Sequence, residues 1–167
     1  ELDMIDTNIK AVHLLTKSFL RDLIDRDSGY ILNVASSAGL MPGGPLMATY
    51  YASKSYVTSL TNSIWYELKK KNSNVSISCL CPGPVKTNFN DVAGVTFSAK
   101  PMDAHEVAEY AIDKMFKGKR LIVPGTKMKM AHCFTRFLPE KTILKAAYKI
   151  QNKKRKNHRN TVIFSFF

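Results

Sequence analysis

Residues 30–54 read YILNVASSAGLMPGGPLMATYYASK, and this stretch decides the fold. It opens with a short apolar run rich in strand formers, residues 30–35, expected to be a buried strand. Gly39, Pro42, Gly43, Gly44 and Pro45 then punctuate the chain and fold it back. From about residue 49 to residue 71 the pattern is that of a long helix. The neighbouring segments keep this alternation. Upstream, Leu2, Ile5, Ile9, Val12, Leu15, Phe19, Leu20 and Leu23 recur at three- and four-residue intervals, an amphipathic helix ending before Asp27-Ser28-Gly29. Downstream, Asn72-Ser73-Asn74 breaks the second helix, and residues 75–81 form a second strand closed by Pro82-Gly83-Pro84. Residues 104–115 make a third helix with Val107, Ala108, Ala111, Ile112 and Met115 inward, and residues 121–123 a third short strand. Strands alternating with helices of this length imply an α/β fold with parallel crossovers and a sheet covered on both faces. Ligands of such sheets bind beyond the carboxyl ends of the strands, where Ser37 and the segment 82–87 both fall.

Tyr50 and Lys54 are one helical turn apart, so the phenol and the ammonium share a helix face. An unperturbed phenol has a pKa of about 10, and a nearby cation is expected to lower it and allow acid–base work at neutral pH. The spacing alone discriminates poorly, because Tyr66 with Lys70 and Tyr110 with Lys114 repeat it. Ser37 lies thirteen residues before Tyr50, with the Gly/Pro loop between them to close the pair into a site. Ser53 stands the same distance before Tyr66, but both would lie on one continuous helix about 20 Å apart along its axis. Phe97 occupies the corresponding place before Tyr110. Ser36 is the adjacent alternative to Ser37.

The 167 residues suffice for about one domain, and with 45% hydrophobic residues but no apolar run of membrane-spanning length they read as a soluble globular protein. No signal peptide is visible. The chain opens on Glu1 with Leu2 already in a helical pattern, so the natural protein is expected to start upstream. The net charge of +12 is unevenly spread: residues 1–116 carry 11 Lys/Arg against 12 Asp/Glu, whereas residues 117–160 carry 14 against Glu140 alone. Cys79, Cys81 and Cys133 form no C-x-x-C, and the first two alternate within an apolar run, which suits a reducing cytoplasm. His13, His105, His132 and His158 show no ligand spacing, so no metal is expected. The sequon at Asn74 begins a strand and is read as chance.

LNVASSAG at 32–39, YYASK at 50–54, CPGPVKT at 81–87 and Asn8 in IDTNIKA together resemble the classical short-chain dehydrogenase/reductase family over residues 1 to about 125. The resemblance implies the C-terminal, catalytic part of a Rossmann-like doubly wound parallel sheet, followed over 126–167 by an amphipathic, basic helical extension. It implies an NAD(P)-dependent oxidoreductase that interconverts a carbonyl and an alcohol, chiefly by reduction. Asn8, Ser37, Tyr50 and Lys54 match the catalytic tetrad in order. Tyr50 would be the acid or base, Lys54 would lower its pKa and hold the nicotinamide ribose, Ser37 would hydrogen-bond the reacting oxygen, and Asn8 would position a water. Pro82, Gly83, Val85 and Thr87 would line the nicotinamide pocket. The cofactor would be NADP or NAD, with NADP favoured, and hydride would come from it. The first two long helices correspond to the usual dimer-forming pair, so a homodimer or homotetramer is expected. Phe89, Val92, Val95, Phe97 and Met102 in the segment 88–102 suggest a lid over a small apolar substrate.

The chain departs from the family in one respect: no G-x-x-x-G-x-G occurs in its 167 residues, so these residues by themselves are expected to bind the cofactor poorly. Two further readings stay open. One is a non-catalytic remnant acting through its helix interface. The other uses the tail, where Phe134, Phe137, Leu138, Ile143, Leu144, Ala147 and Tyr148 form an apolar stripe opposite lysines and arginines. Such a helix either packs on the domain with a solvated basic end or makes peripheral contact with an anionic membrane. The run Lys153–Arg159 has no interleaved aromatics, so nucleic acid is not expected as a partner.

Overall fold

A computed structural model describes residues 1–87 and 101–161, the last nine of these, 153–161, by their backbone alone. The first helical region comprises α1 (Leu2–Ile5), a π-helical stretch (Asp6–Ala11) and α2 (Val12–Asp25) in unbroken succession. Then come β1 (Gly29–Val34), a 3₁₀ turn (Ser37–Leu40), α3 (Ala48–Lys70), β2 (Val75–Leu80), α4 (Ala104–Phe116), β3 (Leu121–Ile122), α5 (Thr126–Thr135) and α6 (Glu140–Thr161). The strands pair in parallel in the order β1-β2-β3, with Gly29 opposite Val75 and Val34 opposite Leu80, and Cys79 opposite Leu121.

β2 is buried on both faces, as a parallel strand covered by helices must be. The two-residue period sends Val75, Ile77, Cys79 and, just beyond the strand, Cys81 toward α2 and α3. Leu80 points the other way, into a cluster with Val107 and Ala111 of α4 and Ile122 of β3. Buried polar atoms on the α2/α3 side are paired: Thr16 Oγ1 donates to Asn33 Oδ1 at 3.1 Å, and Asn33 Nδ2 donates to Thr61 Oγ1 at 3.0 Å. At the opposite end of the sheet the Asp27 carboxylate, on a residue at φ +45°, accepts from Ser73 Oγ, Asn74 N and Asn74 Nδ2. These bonds clamp the turn before β1 to the turn before β2.

Three expectations change here. β1 is not a buried strand: Tyr30 and Val34 are half exposed, at 49% and 53%, because its outer edge has no neighbour among the described residues. For the same reason the apolar stripe of the first helix is only partly covered. Leu20 and Leu23 are buried, while Leu15 and Phe19 stay exposed and line a groove with Ile31, Leu32 and Asn33 of β1. On α4, Val107 and Ala111 face the sheet, with Met115 half-buried, but Ala108 and Ile112 lie exposed because three strands cover only a narrow stripe of that helix.

The tail divides. Ile143 and Ala147 of α6 are buried, Gln151 Nε2 donates to Tyr51 Oη at 3.1 Å, and Met128 of α5 packs on the cluster around Val57 and Cys79. Phe134, Phe137, Leu138 and Tyr148 stay exposed. Among the described residues no helix is long and apolar enough to cross a membrane.

Candidate active site

The site begins where β1 and β2 end side by side. Ala35 N donates to Leu80 O and Ser37 N to Pro82 O, each at 2.8 Å, so the turn after β1 is stitched to the loop after β2. Ser36 starts the 3₁₀ turn, its Oγ accepting from Ala38 N at 3.2 Å. This turn lies hard against α3: a Cβ on Gly39 would stand 2.5 Å from the Lys54 carbonyl oxygen and 2.7 Å from Thr58 Oγ1. Only a residue without a side chain permits that approach, which sets the distance between the serines and the tyrosine helix.

Tyr50 is half-buried in the first turns of α3, with a hydrogen bond between its phenol and the Ser36 hydroxyl. The spacing singles out Ser37, whereas the serine hydroxyl bonded to the phenol here is that of Ser36. Burial pushes the phenol above its ordinary value, the Ser36 bond offsets part of the rise, and the neighbouring Tyr51 adds to it. This differs from the expected lowering by Lys54. The ammonium lies 6.0 Å from the Tyr50 ring centroid and donates to the Val34 carbonyl at 3.3 Å. Burial draws Lys54 below the ordinary lysine value, opposed by Cys79 and Cys81. Those two thiols are free, buried and 3.7 Å apart. The hydrogen bond between them lowers Cys79 and raises Cys81.

Asn8 reaches the site through a link that the spacing of motifs does not reveal. Its Nδ2 donates to Ser53 Oγ at 3.1 Å, and Ser53 Oγ donates to the Tyr50 carbonyl at 2.8 Å. Asn8 belongs to the π-helical stretch, an irregularity often found at functional positions. Ser53, fully buried, links Asn8 to the Tyr50 turn, whereas the spacing in sequence shows it only as a coincidental partner for Tyr66. Its signal was its place one turn after Tyr50, on the side facing the first helix.

Pro82 and Gly83 lie at the sheet edge, and a Cβ on Gly83 would press on the Met128 side chain at 3.1 Å. Val85 forms a parallel bridge with Met102, so this loop is held to the start of α4. Thr87 is exposed. Of the expected lid, Phe89, Val92, Val95 and Phe97 lie outside the described residues, while Met102 packs against the cluster of Leu80 and Val107.

Comparison with known proteins agrees with this layout. The family model for short chain dehydrogenase matches residues 2–96. The chain is 37% identical over 89 residues to dehydrogenase/reductase SDR family member 4 of Bos taurus, a match covering 53% of this chain and 31% of that protein. It thus spans about a third of the length of that curated relative. A short-chain dehydrogenase from Sphingobium yanoikuyae in complex with NADPH superposes with a TM-score of 0.65 at 21% identity, over 73% of this chain and 47% of that one. A short chain dehydrogenase/reductase from Burkholderia phymatum in complex with NAD gives 0.65 at 24% identity, over 75% and 53%. Serine turn, tyrosine helix and Pro-Gly loop thus meet at one sheet edge in a chain whose matched part exceeds half its length, and the protein belongs to the short-chain dehydrogenase/reductase family.

Proposed function

We propose that this chain is the catalytic part of an NAD(P)-dependent oxidoreductase that interconverts a carbonyl and an alcohol, with reduction the main direction. The observation that carries the reading is the half-buried Tyr50 phenol, hydrogen-bonded to a serine hydroxyl with Lys54 one turn on, at the carboxyl edge of a parallel sheet. A phenol raised by burial stays protonated at neutral pH and can donate its proton to a carbonyl oxygen. Ser36 or Ser37 orients that oxygen. Lys54 offers an ammonium at the mouth of the sheet, and Asn8 fixes the Tyr50 turn through Ser53 and holds water nearby.

The residues present fit one end of a nicotinamide cofactor. Lys54 would hold the nicotinamide ribose, and Pro82, Gly83, Val85 and Thr87 would offer backbone and hydroxyl groups to the ring and its carboxamide. The two structural neighbours described above carry NADPH and NAD, which supports this class of cofactor; NADP is favoured for this chain. When bound, the nicotinamide supplies hydride. No glycine-rich pyrophosphate loop occurs in the 167 residues, so these residues by themselves are expected to hold the adenosine end poorly. The substrate is a small apolar carbonyl compound or alcohol, the setting is cytoplasmic, and the exposed Leu14, Leu15 and Phe19 suit a homodimer or homotetramer built on the first two long helices.

The test is to titrate these 167 residues with NADPH and NADH and to assay ketone reduction by the protein isolated from its natural source. Reductase activity lost on Tyr50→Phe supports the reading. Absence of activity from a source protein whose intact mass equals this chain would replace it with the second reading, a non-catalytic remnant. That alternative is favoured by the edge of β1, which has no neighbour among the described residues.

A further inference from the structure

The corner joining α5 to α6 carries an apolar surface that packing on the body leaves uncovered. Met130 and Phe134 stand one turn apart on α5, and Phe137 and Leu138 follow in the turn; their exposures are 59%, 65%, 82% and 49%. The inner faces of these helices already have partners: Met128 in the core, Ile143 and Ala147 buried, and Gln151 tied to Tyr51. Among the described residues nothing covers the corner, and the helices on either side of it are anchored to the body. Its surroundings are cationic. Lys127 and Arg136 flank it, and Lys141, Lys145 and Lys149 follow one another along α6 at four-residue steps, on the side opposite Ile143 and Ala147. All five are exposed, and Glu140 is the single acidic residue between 117 and 160.

We propose that this corner docks on an anionic lipid surface, with Phe134, Phe137 and Leu138 entering the headgroup boundary and Arg136, Lys141, Lys145 and Lys149 facing the phosphates. Charge complementarity selects the occupant. A face on which Arg136, Lys141, Lys145 and Lys149 outnumber the exposed Glu140 around bulky apolar residues suits a sheet of negative headgroups over acyl chains. Another exposed apolar surface, on α2, lacks this character: Leu15 and Phe19 sit among Lys17, Arg21, Asp22 and Asp25, charges of both signs, beside a strand edge with no neighbour among the described residues, which suits a protein neighbour.

The experiment is flotation of the full chain with phosphatidylcholine vesicles, with and without phosphatidylserine, at moderate salt. Binding is expected to vesicles containing phosphatidylserine and to be lost with pure phosphatidylcholine. Phe134→Ser with Phe137→Ser should weaken it on the order of tenfold or more through lost apolar insertion. Lys141→Gln, Lys145→Gln and Lys149→Gln should each weaken it roughly fivefold. These side chains are exposed, so circular dichroism should show the fold intact in every variant. Failure to float with anionic vesicles would overturn the proposal. So would unchanged flotation of the phenylalanine variant, since binding would then be a property of charge alone. Self-association through the corner, or displacement from vesicles by duplex nucleic acid, would assign it to another partner and overturn the proposal equally.

Discussion

Tyr110 with Lys114 makes a closer pair than Tyr50 with Lys54: the ammonium lies 5.1 Å from the ring centroid in the first and 6.0 Å in the second. Tyr66 with Lys70 falls between them at 5.5 Å. All three follow from the i, i+4 geometry of a helix, so proximity of the cation does not make a site. The surroundings differ. Lys114 is bound to Asp113 at 2.8 Å, and the Tyr110 hydroxyl, on a ring partly buried against the Leu80 cluster, accepts from Lys129 Nζ at 2.9 Å, so its partners are two lysines rather than a hydroxyl from another turn. Tyr50 is half-buried against a turn that supplies a serine hydroxyl, on a helix whose next turn is tied through Ser53 to Asn8. A tyrosine becomes a candidate proton donor through what the fold brings to it from elsewhere in the chain.

The widest separation should appear in catalysis. In the source protein, Tyr50→Phe should lower ketone reduction by about 10²–10⁴-fold, the usual worth of a positioned acid, whereas Tyr66→Phe and Tyr110→Phe should leave the rate within about twofold. Equal losses at all three would erase the contrast. Gly39→Ala comes next. Its new methyl group would meet the Lys54 carbonyl, and urea unfolding should show a loss of about 1–3 kcal/mol, the ordinary cost of overpacking. Asn8→Ala should cost about 1 kcal/mol in the same measurement by leaving the buried Ser53 hydroxyl without its donor.

The smallest effect concerns the two serines. Ser36→Ala should raise the Tyr50 titration further, because the bond it removes is the one that opposes burial, while Ser37→Ala should leave that titration in place. NMR of tyrosine ring signals assigned with Tyr50→Phe would follow it. The same shift makes a pH prediction. The folded-state value of Tyr50 is raised, so its contribution to stability is complete below the ordinary phenol value of 10.0 and is lost as pH rises from there toward the folded one. Thermal unfolding across alkaline pH should show that loss in the parent chain and a smaller one in Tyr50→Phe.

Much of the layout was legible in the residues. The strand, loop and helix of residues 30–54 appear within a residue or two of the expected bounds, because a two-residue period, a Gly/Pro cluster and a 3.6-residue period are local signals. The Tyr50 turn, the Pro82 loop and their common sheet edge follow from the order of elements. Less legible was the burial of any one residue. Leu15, Phe19, Ala108 and Ile112 satisfy helical periodicity as well as Leu20 or Ala111 do, yet they lie exposed. Whether an apolar stripe is covered depends on how many strands stand beneath it, and that is not a local property.

By itself the sequence determined the three strands and the long helices between them up to residue 123, that the strands run parallel, and which residue types meet at their carboxyl ends. Each depends on neighbours within a few positions or on chain order. Only the tertiary structure decided that the Ser36 hydroxyl is the one acting on the phenol, that Asn8 is linked through Ser53 to the Tyr50 carbonyl, and that burial moves that phenol up. It also decided that the tail stripe splits between a packed helix and an exposed corner. These outcomes turn on contacts between residues far apart in the chain and on the water those contacts exclude. A one-residue difference in a turn, or one missing strand at an edge, changes them without changing any local pattern.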